Sequence, residues 1–310
     1  EQWDSQSDLD SLRWSEQPEP IATPHFVHHF QRITLEQPEI AIWKQNSEKE
    51  IPALKRRPEW LRPNGLPTAE QTYILQALLN DKQPINVVIG ERGRGKSTLA
   101  GMLAERVKGK CWVTGPSKIA TQILSQRGEG VEFYAPDALL EQCRQQAPVD
   151  IDWLLIDEAA AIPAPMLREL IAFFPQVLLT TTVQGYEGTG RGFLLKFCAS
   201  LPSCCTYLLD QPMRWAISDP VESWLKSLLL FEEPQEPQVQ NLEFKSEKLS
   251  QSQWLSYPKK MCDFYMLLTS AHYKTTPLDL RRLMDGVGNH LYGSFAGDVI
   301  AAALWMVDEG

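Results

Sequence analysis

The octapeptide Gly90-Glu91-Arg92-Gly93-Arg94-Gly95-Lys96-Ser97 limits the fold of this chain more than any other feature. It matches G-x-x-x-x-G-K-[ST] and stands between a β-rich run, Asn86 to Ile89, and a helix-forming stretch, Thr98 to Val107. A strand that feeds a glycine-rich loop and then opens a helix is the context this pattern requires. Glycines let successive backbone N–H groups curl around phosphates, and the helix N-terminus adds partial positive charge. The reading assigns Gly90, Gly93, Arg94 and Gly95 to the phosphate cradle and Lys96 to the β and γ oxygens. Ser97 then offers its hydroxyl to Mg²⁺, and Thr98 lies within reach of the α-phosphate. ATP and Mg²⁺ are the expected cofactors.

A second motif agrees with the first. Trp153-Leu154-Leu155-Ile156-Asp157-Glu158 is an apolar strand ending in two acids. After a phosphate loop, such a pair places Asp157 to hold Mg²⁺ through water and Glu158 to orient or deprotonate the attacking water. Lys96, Asp157 and Glu158 are the candidate catalytic residues. Leu178 to Gly192 is a further strand running into a glycine-rich polar loop. There Thr182 and Gln184 are candidates to report on the γ-phosphate, and Arg191 or Arg214 to stabilise charge on it.

Between Ile85 and Leu209, β-rich runs alternate with helical patterns: Asn86 to Ile89, Cys111 to Thr114, Val131 to Tyr134, Trp153 to Ile156, Val177 to Thr182 and Thr206 to Leu209. That rhythm predicts an α/β core with a parallel sheet and crossover helices. A helix should start near Thr68, with Gln71 completing a capping box. Residues 1–67, rich in Pro, Gln and Glu, read as the tail of an upstream module plus a linker. Residues 68–230 form the nucleotide-binding domain, and 231–245, containing FEEPQEPQVQ, a linker. In the remainder, 246–310, Asp263 to Ser270 reads as a strand, Thr276 to Met284 as a helix and Tyr292 to Met306 as a hairpin turning at Gly297-Asp298. A β-α-ββ opening needs more strands to close a core, so the chain is expected to end inside a domain.

Composition narrows the function classes. A chain of 310 residues with 43% apolar residues and ten tryptophans can fill more than one core. It has no apolar run long enough to span a bilayer, so no membrane partner is expected. Its net charge of −9 argues against a uniformly basic nucleic-acid sleeve, so any RNA contact must be local. Lys55-Arg56-Arg57 with Trp60 and Arg62, and Arg281-Arg282, are such local mixtures, though a solvated surface accounts for them more simply. The six cysteines show no metal or disulfide spacing, consistent with a reducing cytoplasm. His25, His28 and His29 have no acidic or thiol partner at ligand spacing, so a core or surface role is favoured.

Taken in order, LPTAEQ, GERGRGKST, LLIDEAAAIP, TTTVQGYEGTGRG, DQPMRWAISDPVE and SAHYKTTPLDLRRLMD resemble the bacterial tRNA(Met) cytidine acetyltransferases. That family fuses a RecD-like helicase module to a GNAT acetyltransferase fold. The resemblance implies a RecA-like core followed by the start of a GNAT-like α+β domain. It also implies ATP-dependent formation of N4-acetylcytidine at the wobble position of elongator tRNA(Met), with acetyl-CoA as donor. By the same resemblance Gln71 reads adenine, the Gly93 to Met102 region holds the triphosphate, and Arg214 contacts ATP. The GNAT pyrophosphate loop belongs after the hairpin, beyond Gly310, so no acetyl-CoA residue is named. A RecD-like translocase without acetyl transfer is the alternative reading.

Overall fold

Pro24 sets the backbone angle for the first turn of helix α1 (Pro24–Glu36), where an apolar stripe buries His29 and Ile33 one turn apart. The computed structural model describes residues 7–8, 16–17, 19–20, 23–43, 46, 49, 51–52, 60–61, 64–80, 83–107, 111–116, 118, 131–182, 197–201, 203–231, 243–271 and 277–308. Two compact units result: Pro58–Ile217 forms one, while Glu1–Arg57 and Ser218–Gly310 together form the other. The region expected to be tail and linker therefore contributes a packed helix. Its sequence, PHFVHHFQRITLE, carries the helical period in a stretch whose composition alone resembles a linker.

The central unit opens with α2 (Ala69–Asn80). The Thr68 hydroxyl accepts from the Gln71 N–H at 3.2 Å, and Gln71 Oε1 accepts from the Thr68 N–H at 3.0 Å, the reciprocal capping predicted from sequence. Then follow β1 (Ile85–Gly90), α3 (Lys96–Arg106), β2 (Cys111–Thr114), β3 (Glu132–Tyr134), α4 (Pro136–Gln145), β4 (Trp153–Ile156), α5 (Ala164–Ile171), β5 (Gln176–Thr181) and β6 (Cys205–Leu209). The six strands form one parallel sheet in the order β3-β2-β4-β5-β1-β6. This is the α/β, RecA-like P-loop order, with β5 between the loop strand β1 and the acid strand β4.

Both faces of the sheet are covered, as a parallel sheet requires. Val87, Leu154, Ile156, Val177 and Leu179 pack against Leu139, Leu167 and Leu170 of α4 and α5. Val88, Val113, Leu155 and Leu178 point the other way, onto Ile74, Leu75 and Leu78 of α2 and Leu99 and Leu103 of α3. The period-two alternation along each strand thus builds two cores.

The other unit continues with α6 (Pro220–Leu229), β7 (Lys245–Leu249), α7 (Gln253–Ser256), α8 (Pro258–Ala271), α9 (Pro277–Asp285), β8 (Asn289–Ala296) and β9 (Val299–Val307). The expected hairpin is present, with its turn at Gly297-Asp298. The strand expected over Asp263 to Ser270 is instead part of α8. Met261, Phe264, Tyr265 and Leu268 are buried there at i, i+3, i+4, i+7, a helical spacing that outweighs the β-rich composition of the run. The strand that opens this region is β7, which pairs antiparallel with β8 in a sheet of order β9-β8-β7. Thr276, the expected start of the next helix, lies outside the described residues, and α9 begins at Pro277.

Candidate phosphate-binding site

Three glycines shape the loop, each for a specific reason. A Cβ on Gly90 would lie 2.5 Å from the Leu209 carbonyl oxygen on β6, so only glycine permits that approach. Gly93 and Gly95 hold φ of 82° and 86°, in the left-handed region, and Gly95 is the N-cap of α3. Lys96 is only 6% exposed. Its Nζ donates to Gly90 O at 3.0 Å, to Glu91 O at 3.3 Å and to Thr182 Oγ1 at 2.8 Å. Burial pulls the ammonium below its usual pKa, opposed by the negative charges of Glu158 and Asp157. Ser97 and Thr98 are half-buried in the first turn of α3.

The two acids leave the end of β4 in different conformations. The Asp157 N–H donates to Thr114 O at 3.0 Å, extending the β2–β4 ladder by one residue. Its carboxylate is buried: the Thr180 hydroxyl donates to Oδ1, while Oδ2 has no hydrogen-bond partner among the described residues. Glu158 turns aside at φ 49°, ψ 49° and starts a short 3-10 turn, Ala159–Ala161. Its two oxygens lie 3.3 Å from Thr182 Oγ1. Since a hydroxyl has one proton, Thr182 accepts from Lys96 and donates to Glu158. A buried carboxylate oxygen without a donor among the described residues, in a site whose phosphate loop also carries the Ser97 hydroxyl, is a donor set that fits a hard divalent cation.

A later segment closes over the loop. The Met213 N–H donates to Gly93 O at 2.9 Å, and the Trp215 ring stands where a Cβ on Gly93 would meet it at 2.9 Å. The Glu70 carboxylate accepts from the N–H groups of Asp210 and Gln211 at 3.2 and 3.1 Å, tying this segment to α2. Gln71 is fully buried, and its Nε2 donates to Gly95 O at 3.1 Å. Arg94 is buried as well, with Nη2 on Glu91 Oε2 at 2.7 Å and its guanidinium 6.0 Å from the Trp215 ring centre. Arg214 is exposed.

The structure thus brings together Gln71, Gly90, Gly93, Arg94, Gly95, Lys96, Ser97, Thr98, Asp157, Glu158 and Thr182 at the C-terminal ends of β1, β4 and β5. In open α/β sheets, that end is where ligands bind. Gln184 and Arg191 lie outside the described residues, as do Lys55, Arg56, Arg57 and Arg62. Sequence reasoning did not single out Thr180, Met213 or Trp215. Thr180 is legible as the first of three consecutive hydroxyl positions on a strand already suspected, whereas the other two carry no local phosphate signature.

Away from this site, His29 Nε2 lies 2.9 Å from Leu228 O and His25 Nδ1 2.8 Å from Asp285 Oδ1. Among the described residues there is no group of three or more His, Cys, Asp or Glu side chains placed to hold a metal ion. No described helix is long and apolar enough to cross a membrane.

Comparison with known proteins places the chain. The family profile described as RNA cytidine acetyltransferase NAT10/TcmA, helicase domain, matches residues 87–127 and 119–232. The tRNA(Met) cytidine acetyltransferase TmcA of Yersinia pestis (strain D106004) is 51% identical over 317 residues, covering 99% of this chain and 45% of that protein. The TmcA of Photorhabdus asymbiotica is 50% identical over 313 residues, covering 100% and 46%. The TmcA of Haemophilus influenzae is 34% identical over 348 residues, covering 98% and 52%. Among solved structures, the Pif1 helicase from Candida albicans aligns with a TM-score of 0.36 at 13% identity, over 60% of this chain and 58% of that one. The chain spans about half the length of the curated relatives it matches. On the strength of these relatives, it belongs to the tRNA(Met) cytidine acetyltransferase family.

Proposed function

We propose that this chain carries the ATP-hydrolysing part of an enzyme that forms N4-acetylcytidine at the wobble position of elongator tRNA(Met), with acetyl-CoA as donor. The observation that carries the reading is the convergence of Lys96 and Glu158 on Thr182, beside the buried Asp157, in a chain 51% identical to a TmcA. The loop from Gly90 to Gly95 wraps the phosphates, and Lys96 leaves its carbonyl partners for the β and γ oxygens. Thr98 borders the α-phosphate. Ser97 and Asp157 hold Mg²⁺, which neutralises phosphate charge when bound. Glu158 orients or deprotonates the attacking water. The family resemblance assigns the adenine to Gln71, whose Nε2 must then exchange Gly95 O for the base, and the exposed Arg214 contacts the nucleotide.

Nucleotide chemistry belongs to the central unit. We assign the start of the GNAT-type fold to residues 246–310, supported by helices α8 and α9 followed by an antiparallel hairpin. The motor would remodel the anticodon stem-loop so that the target cytidine reaches the acetyl donor, a cost similar in kind to flipping a base. We place the reaction in the cytoplasm, where its tRNA and acetyl-CoA are found.

The test is tRNA(Met) acetylation by the full-length protein with labelled acetyl-CoA, with and without ATP, comparing wild type with Lys96→Ala. Labelled cytidine should appear only with ATP, and Lys96→Ala should lower it by about a hundredfold or more. ATP hydrolysis with unlabelled RNA would overturn the acetyltransferase reading and leave a RecD-like translocase.

A further inference from the structure

We propose that Thr180 is a positioning residue for the cation: its hydroxyl fixes the Asp157 carboxylate so that Oδ2 faces the metal. The inference rests on the nucleotide–Mg²⁺ reading of the site and extends it to a residue outside both sequence motifs.

Topology supplies the first reason. Strand β5 lies between β1 and β4, so it is the only element adjacent in the sheet to both the phosphate-loop strand and the acid strand. Thr180 pairs in register with Val88 of β1, and its neighbour Leu179 pairs with Ile156, the last residue before Asp157. Alternation along β5 turns Leu178 toward α2 and α3, so Thr180, two residues on, shares the face that carries the site. The hydroxyl lands on Asp157 Oδ1.

Burial supplies the second. Thr180 and Asp157 are each only 1% exposed, so water does not replace this bond if the hydroxyl is removed. With the backbone held by Thr114 and Oδ1 held by Thr180, rotation of the carboxylate about its Cβ–Cγ bond is fixed. Oδ2 is left as the oxygen without a partner among the described residues. Donors that orient metal-ligating carboxylates typically change metal affinity by about 10- to 100-fold when removed.

The experiment measures ADP binding in EDTA and in Mg²⁺, and Mn²⁺ binding to the ADP complex by electron paramagnetic resonance. It compares wild type, Thr180→Val and Thr180→Ser. Thr180→Val should weaken Mn²⁺ binding by about tenfold or more and leave ADP affinity in EDTA within about twofold of wild type. Thr180→Ser keeps the donor and should behave as wild type. Mn²⁺ binding unchanged in Thr180→Val, or ADP affinity lowered as much in EDTA as in Mg²⁺, would overturn the proposal. If the valine variant does not fold, Thr180→Ala set against Thr180→Ser gives the same comparison. Wild type that binds no ADP would overturn the nucleotide reading itself. Wild type that binds ADP with no effect of metal would overturn the Mg²⁺ part of that reading and the proposal with it. A metal-dependent wild type with Thr180→Val unchanged would overturn the proposal about Thr180 alone.

Discussion

Gly95 is the residue at which backbone conformation and function are hardest to separate. Its φ of 86° lies in the left-handed region, and a Cβ there would stand 2.7 Å from Gln71 Nε2 and 3.1 Å from the Met213 side chain. Gly95→Ala should therefore destabilise the central unit by about 1–3 kcal/mol. It should also abolish ADP binding, because the amide cradle and the α3 N-terminus shift together. Urea unfolding and ADP titration measure the two effects, and normal ADP affinity in Gly95→Ala would show that the cradle does not depend on this backbone. The loop itself was legible because phosphate binding is a local demand, met by glycines, a lysine and a hydroxyl at fixed spacing. Met213 and Trp215 were not legible as its cover. They follow β6, far from the loop in sequence, and nothing in a short window of sequence encodes that return.

Asp285 shows how an element can depend on a residue from another. Helix α1 has no side-chain cap from Thr23, its own N-cap residue. Asp285, the last residue of α9, accepts from the N–H groups of His25 and Phe26 at 2.9 Å each, so its carboxylate supplies the missing cap. Asp285→Ala should cost that unit about 0.5–2 kcal/mol, a typical penalty for a lost cap. Amide exchange should rise first at the start of α1; unchanged exchange at His25 and Phe26 would remove Asp285 from this role. The helix itself escaped sequence reading because its surroundings are rich in Pro and Gln, and composition outweighed a readable period. At Asp263 to Ser270 aromatic and β-prone residues drew the reading toward a strand, although Met261, Phe264, Tyr265 and Leu268 were already at helical spacing. In the central unit strand type and place were legible because a buried parallel sheet demands short, nearly continuous apolar runs.

Each unit has its own buried clusters and its own titration or ligand response, and this sets a test for the whole molecule. In the unit containing α1, His29 is buried, with Nε2 against Leu228 O and Nδ1 3.3 Å from Arg32 Nη2, a setting that suits the neutral ring. Burial holds its pKa down at about 4, against the ordinary 6.5. A depressed pKa on a base means that the unfolded chain binds a proton that the folded chain does not. Stability is then fully present above pH 6.5 and falls as pH drops from 6.5 toward 4, by about 3 kcal/mol. His29→Leu should flatten that slope, even though it loses the bond to Leu228. In the central unit, a nucleotide bound at 100 times its Kd should add about 2.7 kcal/mol. Hydrogen exchange followed from pH 7 to pH 4, with and without Mg²⁺-ADP, should show acid lowering protection in α1 and α7 and nucleotide raising it in β1, α3 and β5. Acid sensitivity of α1 unchanged in His29→Leu would refute the titration argument. Nucleotide protection absent from α3 would refute the phosphate site.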